Sequence, residues 1–390
     1  MALMLFVLVI VGCEYDTNSV VYEDKITYPE GPSITGIDPD QVAIPGANTI
    51  SILGTNFCNG AENNQVYFNN NPVEVLEASS TIIKVRRPNI ISDSVIIRVV
   101  AFDNYLVAEY DQPYKIEPVS ADVGAFIENK ELSALAVDKN ENLYVCERVA
   151  RVVWKISSTG DKTQFAQTSR FVTDAKIGPG GMLMLMANNK NIYQINLATG
   201  EETVWKTAAK SVSYGDFDSQ GNFFTGAKNN LYVLLANGGS LDIDLNKFNF
   251  RCVRVYNGYV YLLAENTSPD EENPELGIWR FEIKSDGSLG EKELFLDWAE
   301  TGDYAESDPT FLTFGQDGIM YVTTDNENPI FMLDEDGKQD VLYKEILTSP
   351  LTYITWGSQN DMYVIIGGDE NKVNSIGMGA QCAPYYGRDL

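Results

Sequence analysis

Short runs of alternating hydrophobic and polar residues, separated by polar turns, repeat along most of the chain. Residues 132–165 hold four such runs. The first turn, residues 138–142, lies between Val137 and Leu143, and the turn at residues 157–161 separates the third run from the fourth. Alternation with a period of two predicts β-strands. The short turns predict that the four strands form one antiparallel sheet.

The same pattern returns five times downstream of this unit. The second predicted strand of each unit carries an aromatic residue or a methionine, at Tyr144, Met184, Phe224, Tyr261, Tyr321 and Tyr363. Successive positions are 40, 40, 37, 60 and 42 residues apart. A repeat of about 40 residues with four strands is typical of a β-propeller, so six units predict six blades around a central channel. A β-sandwich with evenly spaced strands is the alternative.

Three of the units share a motif around their first turn, namely AVDKNENLYV, DFDSQGNFFT and TFGQDGIMYV. This motif resembles that of NHL-type six-bladed propellers, and the resemblance implies a propeller over residues 118–390. The last unit has only three predicted strands. We expect residues 122–128, just before the first unit, to supply the fourth strand and to close the ring, because closure removes both free sheet edges.

Residues 32–117 have a strand pattern of their own, with seven short predicted strands that suit an Ig-like sandwich. Several short motifs in this segment resemble those of IPT/TIG domains. They are Ile37-Asp38-Pro39, Gly46, Ile52-x-Gly54-x-Asn56-Phe57, Val66-x-Phe68 and Val85-x-x-Pro88. The predicted fold class is therefore all-β, with an N-terminal Ig-like (IPT/TIG) sandwich followed by a six-bladed β-propeller. The resemblance implies that the sandwich acts as a spacer or as an interaction module.

The charge balance limits the partners and the chemistry of this chain. Its 390 residues carry 28 Lys and Arg against 55 Asp and Glu, a net charge of −27, and they include no histidine. An excess of negative charge repels nucleic-acid phosphates and anionic lipid surfaces, so we expect neither as a partner. The lack of histidine removes the usual general base and rules out a Ser-His triad.

The N-terminus predicts a lipid anchor. An apolar run in residues 1–12 is too short to cross a bilayer, and it ends at Val11-Gly12-Cys13. This sequence resembles the lipobox of bacterial lipoproteins, in which the cysteine is acylated, so residues 1–12 would be a signal peptide and Cys13 the lipidated residue. Residues 13–31 would form a tether. Glu14-Tyr15-Asp16 resembles the surface-export signal of Bacteroidota-type lipoproteins, which implies the outer membrane with the protein facing the cell exterior.

The candidate binding site comes from the lengths of the propeller loops. Connections between second and third strands, and between successive blades, lie on one face of a propeller. In the predicted blades four to six these connections are enlarged, at residues 265–276, 298–309, 325–329 and 367–372, and the first three of these are the predicted binding loops. Long loops of this kind are where binding residues concentrate. The candidate ligand-binding residues are Glu265, Trp298, Tyr304, Asp325, Asn326 and, on a separate loop, Phe171.

The residue types in these loops favour a carbohydrate ligand. Aromatic rings stack on sugar faces, and amides and carboxylates bond hydroxyl groups. Each ring could equally be part of the core. Asp, Glu and Asn are also oxygen ligands that suit calcium, but no segment has the spacing of a calcium loop. We therefore predict no catalytic residue, no metal ligand and no cofactor, with calcium as the one metal that the loops would suit.

The combination of lipobox, IPT/TIG-like domain and propeller resembles accessory surface lipoproteins of nutrient-uptake systems with SusC/SusD-like importers. The resemblance implies capture of a glycan, ahead of a peptide, for delivery to such an outer-membrane importer, with the membrane reached only through the lipid. Two other functions remain open at this point. One is a calcium-dependent lactonase-like or glycoside-acting propeller enzyme, and the other is a structural module for protein–protein contact.

Overall fold

The computed structural model describes residues 30–103, 105–126, 130–270, 272–357 and 359–389. The predicted signal peptide, Cys13 and nearly all of the predicted tether lie outside these residues. The described part of the chain folds into an N-terminal β-sandwich and a C-terminal β-propeller. None of its helices is long and apolar enough to cross a membrane.

The sandwich packs two four-stranded sheets and one three-stranded sheet around a core of alternating residues such as Ile50 and Ile52, and Val66 and Phe68. Its strands are β1 (Ser33–Asp38), β2 (Val42–Ala43), β3 (Thr49–Thr55), β4 (Asn64–Phe68), β5 (Asn71–Val73), β6 (Val75–Ala78), β7 (Ile82–Arg86), β8 (Ser92–Val95), β9 (Ile97–Ala101), β10 (Leu106–Glu109) and β11 (Tyr114–Ile116). The sheet orders are β1-β3-β7-β6, β10-β9-β4-β5 and β2-β11-β8.

The structure has more strands here than the seven that the sequence predicts. Two predicted strands are divided because their halves pair in different sheets: β5 pairs with β4 and β6 with β7, while β8 pairs with β11 and β9 with β4. The prediction missed the two-residue β2 and also β10. In β10, Leu106 and Val107 are both exposed, so the alternation that marks a half-buried strand is weak there.

Six blades form the propeller. Blade one has β13 (Leu132–Val137), β14 (Leu143–Glu147), β15 (Val152–Ile156) and β16 (Lys162–Gln167). The next strands are β17 (Asp174–Gly178), β18 (Met182–Met186), β19 (Asn189–Asn196), β20 (Glu202–Phe217), β21 (Phe223–Leu234), β22 (Ser240–Tyr256), β23 (Tyr259–Asn266), β24 (Leu276–Glu282) and β25 (Glu293–Asp297). Blades five and six have β26 (Phe311–Phe314), β27 (Met320–Thr323), β28 (Ile330–Leu333), β29 (Gln339–Val341), β30 (Leu351–Trp356), β31 (Asp361–Ile366) and β32 (Lys372–Gly377).

Blades two, three and four are joined by unusually long strands. β20 is the outer strand of blade two and continues as the inner strand of blade three, and β22 joins blades three and four in the same way. β21 supplies both middle strands of blade three, and Asn229, with a φ of 60°, lies between its two halves. Nine strands therefore form one continuous sheet, and no separate loop joins blade two to blade three or blade three to blade four.

The ring is closed by a strand from upstream, as predicted. β12 (Ser120–Asp122) pairs antiparallel with β32 and is the fourth strand of blade six. The predicted range, residues 122–128, was placed a few residues too late. The inner strands β13, β17, β20, β22, β26 and β30 each lie beside the next, and β30 lies beside β13. Closure by an early strand ties the two ends of the propeller together.

An aspartate at the end of the inner strand sets the first turn of several blades. In blade one the Asp138 carboxylate accepts hydrogen bonds from the backbone N–H groups of Asn140 and Asn142, at 2.8 and 2.9 Å. In blade three Asp218 accepts from Gln220 and Asn222 in the same way, at 2.9 and 2.8 Å. These bonds satisfy backbone donors that the tight turn leaves open, which explains the repeated aspartate of the motif.

The sandwich packs against blades five and six. The Asn48 side chain donates to the Val341 carbonyl at 3.1 Å and accepts from the Tyr343 N–H at 2.9 Å. The Tyr343 hydroxyl in turn accepts from the Gly46 N–H at 2.6 Å and donates to the Gly377 carbonyl. Tyr343 is 1% exposed, so this contact between the two domains is buried.

Candidate functional site

Two of the enlarged loops, residues 298–309 and 325–329, lie together on one face of the propeller, which we call the loop face. It carries the connections between second and third strands and between successive blades. The Tyr304 hydroxyl donates to the Asn328 carbonyl at 2.7 Å, and the Asn326 amide donates to the Asp303 carbonyl at 3.0 Å. These bonds make residues 298–309 and 325–329 one ordered layer.

The prediction that Trp298 and Tyr304 offer their rings to a ligand is wrong. Trp298 is 1% exposed and Tyr304 4% exposed, and both rings pack edge-on against Phe331 of β28. The Trp298 indole N–H donates to the Ser307 carbonyl at 3.1 Å. The two rings therefore form a small core beneath the loop layer, and no ring face is left for a sugar. No local pattern in the sequence indicates this burial, because Phe331 belongs to a different strand.

The polar candidates lie nearer the surface. Asp325 is exposed, and one of its oxygens accepts from the Asp308 N–H at 2.7 Å. Asn326 is half-buried, and both its amide group and its carbonyl oxygen hold the loop, the latter by accepting from the Asn328 N–H at 2.9 Å. Glu265 is half-buried and pairs with Leu276 at the end of the β23–β24 hairpin. Of these three, Asp325 is the side chain most available to a ligand.

Phe171 is an exposed aromatic ring on the loop face. It is 46% exposed and lies on the connection between blades one and two. Two arginines from the second loop of blade one stack over it, with their guanidinium carbons 4.7 Å (Arg151) and 5.9 Å (Arg148) from the ring centroid. Among the candidate rings this is the one that solvent reaches.

The central channel is filled by charged side chains of the inner strands. Lys176 of β17 donates to Asp174 at 2.9 Å, and Tyr353 of β30 donates to the same carboxylate. On the other side Arg254 of β22 donates to Asp216 of β20 at 2.8 Å. All four charged side chains are nine-tenths or more buried.

Electrostatics keeps the cation of each buried pair protonated, although burial raises the pKa of the Asp174 carboxyl. Burial alone would lower the pKa of Lys176, but the Asp174 carboxylate outweighs that effect and holds the pKa well above its usual range. The same balance between burial and the Asp216 carboxylate raises the pKa of Arg254. Both channel carboxylates are thus already neutralised by a neighbouring cation, which leaves them poorly placed to act as a general base or as metal ligands.

The C-terminal tail covers one mouth of the channel, at the end opposite the loop face. The backbone of Ala383 donates to the Phe314 carbonyl at 3.0 Å, and Arg254 donates to the Pro384 carbonyl at 3.0 Å. The helix α1 (Tyr386–Asp389) follows, and its Arg388 donates to the Trp356 carbonyl at 2.9 Å. These bonds reach the inner strands of three blades, so the tail acts as a cap.

A cavity of about 410 Å³ opens between the sandwich and blade five. We call it the interdomain cleft. Its polar lining comes from both domains and includes Asn71, Glu74, Arg86, Asn89, Lys344 and Glu345. Ligand sites commonly have this size and commonly lie between domains.

Ion pairs across the domain boundary order the wall of the interdomain cleft. Arg86 contacts Glu74 at 3.1 Å and Asp340 of the propeller at 3.0 Å, and Lys344 contacts Glu74 at 3.1 Å. Burial raises the pKa of Glu74, but the hydrogen bond from Lys344 and the charge of Arg86 outweigh it, so the pKa lies below its usual value. Sequence reasoning missed this site because its residues are up to 274 positions apart, from Asn71 to Glu345.

No cluster of three or more Cys, Asp or Glu residues in the described part of the chain has the geometry to hold a metal ion. The four described cysteines, Cys58, Cys146, Cys252 and Cys382, are free thiols. Burial raises the pKa of the thiols of Cys146 and Cys252 to about 12, so neither is a reactive thiolate at neutral pH.

Comparison with known proteins identifies the first domain and supports the fold of the whole chain. Residues 32–112 match the model of the IPT/TIG domain. No curated protein matches the chain. The matched segment corresponds to the sandwich, so the predicted IPT/TIG domain is confirmed.

Solved structures resemble the chain over nearly its whole length. An auxiliary nutrient binding protein from Bacteroides ovatus ATCC 8483 is 12% identical over 89% of this chain and 98% of its own, with a TM-score of 0.52. A second auxiliary nutrient binding protein, from Bacteroides thetaiotaomicron VPI-5482, is 10% identical over the same shares, also with a TM-score of 0.52. A putative gluconolactonase is 11% identical over 68% of this chain and 93% of its own, with a TM-score of 0.53. At such identities these likenesses show the fold alone.

Proposed function

We propose that this protein captures a nutrient ligand, a glycan ahead of a peptide, without catalysis and as a lipid-anchored accessory protein at the cell surface. The observation that carries the proposal is the interdomain cleft, where amide, carboxylate and cationic side chains of two domains converge on one cavity. Such a mixture of donors and acceptors suits a ligand rich in hydroxyl or amide groups.

The state of the central channel supports binding over catalysis. In the channel, Asp174 and Asp216 are paired with Lys176 and Arg254, and the tail covers one mouth. A substrate that entered would have to break buried ion pairs, each of which costs several kcal/mol to leave unpaired. The likeness to auxiliary nutrient binding proteins, which extends over both domains, supports the same proposal.

Binding in the interdomain cleft is tested with glycan and peptide arrays, followed by titration calorimetry on whatever binds. Asn71→Ala removes a side chain that lines the cleft. Asn70→Ala is the control, because it removes an exposed side chain at the preceding position that does not line the cleft. We expect Asn71→Ala to weaken binding about five- to tenfold, as loss of one hydrogen bond does, and Asn70→Ala to leave it unchanged. Equal affinity of both variants would place the ligand elsewhere.

The lipid anchor and the importer belong to the same proposal. Cys13→Ala should move the protein from the membrane fraction to the soluble fraction, while Cys58→Ala should leave it in the membrane. A Cys13→Ala protein that stays with the outer membrane would contradict the anchor. We further propose that the anchored protein works beside a SusC/SusD-like importer. Chemical cross-linking on intact cells, followed by identification of the linked chains, tests this partnership.

A further inference from the structure

The loop face at blade one carries three arginines, and two of them have no carboxylate partner among the described residues. We call Arg148, Val149, Arg151, Arg170 and Phe171 the arginine patch. Among the described residues, no Asp or Glu lies within ion-pair distance of Arg151 or Arg170, and Arg148 has only Glu131, at 3.9 Å. In a chain with a net charge of −27, unpaired arginines are unusual, because carboxylates outnumber cations almost two to one.

The arginine patch is ordered by its own backbone. The Thr168 N–H donates to the Arg151 carbonyl at 2.7 Å, and the Thr168 hydroxyl bonds the Arg151 and Arg170 carbonyls at 3.1 and 2.9 Å. Thr168 itself is 5% exposed. The two loops are therefore fixed to each other beneath the patch. A ligand would meet a preorganised surface, which reduces the entropy lost on binding.

The Phe171 ring lies beneath the guanidinium groups of Arg148 and Arg151. An arginine that lies over an aromatic ring uses its face for the ring and keeps the N–H groups at its edge for hydrogen bonds. The edges of Arg148 and Arg151 can then each bond a carboxylate in the bidentate manner that arginine favours. Val149, 65% exposed, stands between them in sequence and offers apolar contact.

We propose that the arginine patch binds an acidic oligosaccharide through the carboxylates of its uronic acid units. This second site rests on the proposed capture of glycans. Charge complementarity argues for the acidic class, since three guanidinium groups lie together here on a molecule whose net charge is −27. The patch is an exposed surface and not a cavity, which suits an extended chain with several carboxylates more than a single small anion.

The test uses hexagalacturonate as the probe and its fully methyl-esterified form as an uncharged control of the same shape. We expect the full-length protein to bind the acid but not the ester, and the affinity to fall between about 0.05 M and about 0.3 M salt. Arg151→Gln and Arg170→Gln should each weaken binding about tenfold, as loss of a charge-assisted bond does. Arg280→Gln is the matched control, because Arg280 also stacks on aromatic rings, at 4.7 and 5.1 Å, but is paired with Glu293.

Three outcomes would overturn the proposal. They are the absence of hexagalacturonate binding at low salt, equal binding of the ester, or an equal loss of affinity in Arg280→Gln. Binding of a glutamate-rich peptide at the patch with higher affinity than the hexasaccharide would reassign it to a protein partner. The proposed capture function is tested separately, by the affinity of Asn71→Ala for whatever ligand the arrays identify.

Discussion

Single side chains on the loop face have opposite roles, although their residue types look alike in the sequence. Trp298 and Tyr304 are buried against Phe331, while Phe171 is exposed and holds two arginines. A buried indole contributes through packing and through its bond to the Ser307 carbonyl. An exposed ring contributes little to stability and is free to act in binding.

This difference predicts the effects of two substitutions. Trp298→Ala should lower the free energy of unfolding by about 3 to 5 kcal/mol, because it leaves a cavity beneath the loop layer. Phe171→Ala should change it by less than about 0.5 kcal/mol, since surface changes usually do. Chemical denaturation of both variants measures this. Similar stabilities would show that the loop layer holds without its aromatic core.

At the scale of single elements, the short strand β12 closes the ring. The Gly377 N–H donates to the Val119 carbonyl at 2.9 Å, and the Val123 N–H donates to the Val373 carbonyl at 2.8 Å. Ala121 lies between Val119 and Val123 and opposite Ser375. Hydrogen-bonded pairs alternate along an antiparallel ladder, so the Ala121 N–H also points towards β32.

Ala121→Pro should therefore weaken closure. Proline cannot donate to the ladder, and the unpaired partner carbonyl adds to the loss, so we expect a drop of about 2 kcal/mol or more. Ala121→Thr keeps the N–H and suits a strand, and should be near neutral. Thermal unfolding and limited proteolysis of blade six compare the two. Equal behaviour would mean that the ring does not depend on β12.

The helix α1 is the second element with a testable role, as the end of the channel cap. A Cβ at Gly387 would lie 2.4 Å from the Ile177 carbonyl oxygen and 2.6 Å from the Phe217 ring. The missing side chain thus lets the helix lie directly on the inner strands of blades two and three.

Gly387→Val should lift the cap from the channel. The bonds from Arg254 to the tail would be lost, and the Val255 amide, which donates to Asp216 at 2.9 Å, should exchange its hydrogen at least about tenfold faster. Gln381→Ala changes an exposed side chain of the same tail and serves as the control. Hydrogen exchange followed by mass spectrometry gives the readout. Unchanged protection in Gly387→Val would mean that the cap is not needed to order the channel.

At the scale of the whole molecule, the two domains are held together partly by charge. Glu74 of the sandwich contacts Lys344 of the propeller, and its neighbour Arg86 contacts Asp340. The pKa of Glu74 is lower in the folded protein than its ordinary value of 4.5. A lowered pKa means that this contact stabilises the folded state above the ordinary pKa, and that the stabilisation is lost as the pH falls through the folded value.

We therefore expect docking of the sandwich on the propeller to weaken as the pH falls below the ordinary pKa of Glu74, 4.5, and through the lower pKa that this group has in the folded protein. Scanning calorimetry between neutral and acid pH should show one transition dividing into two. Glu74→Gln cannot titrate, so the difference between wild type and this variant should disappear at low pH. If the two proteins differ equally at every pH, the Glu74 contact does not control docking.

The sequence by itself determined the fold class, the number of blades and the position of both domains. These features follow from local signals, namely the period-two alternation of strands, the aspartate turns at Asp138 and Asp218, and the roughly 40-residue repeat. Even the upstream closing strand could be predicted, because a blade with three strands leaves an open edge. Strand ends and sheet partners do not follow from local patterns. β2 and β10 were missed, and two predicted strands divide where the chain passes from one sheet to another.

The tertiary structure decided which residues face a ligand. The burial of Trp298 depends on Phe331, the interdomain cleft joins Asn71 to Glu345, and the channel is filled by Asp174 and by residues far from it in the chain. None of these contacts leaves a local pattern, because each depends on the packing of segments that only the closed ring and the docked sandwich bring together. Composition gave the charge of the molecule, but the fold alone gathered Arg148, Arg151 and Phe171 into one exposed patch.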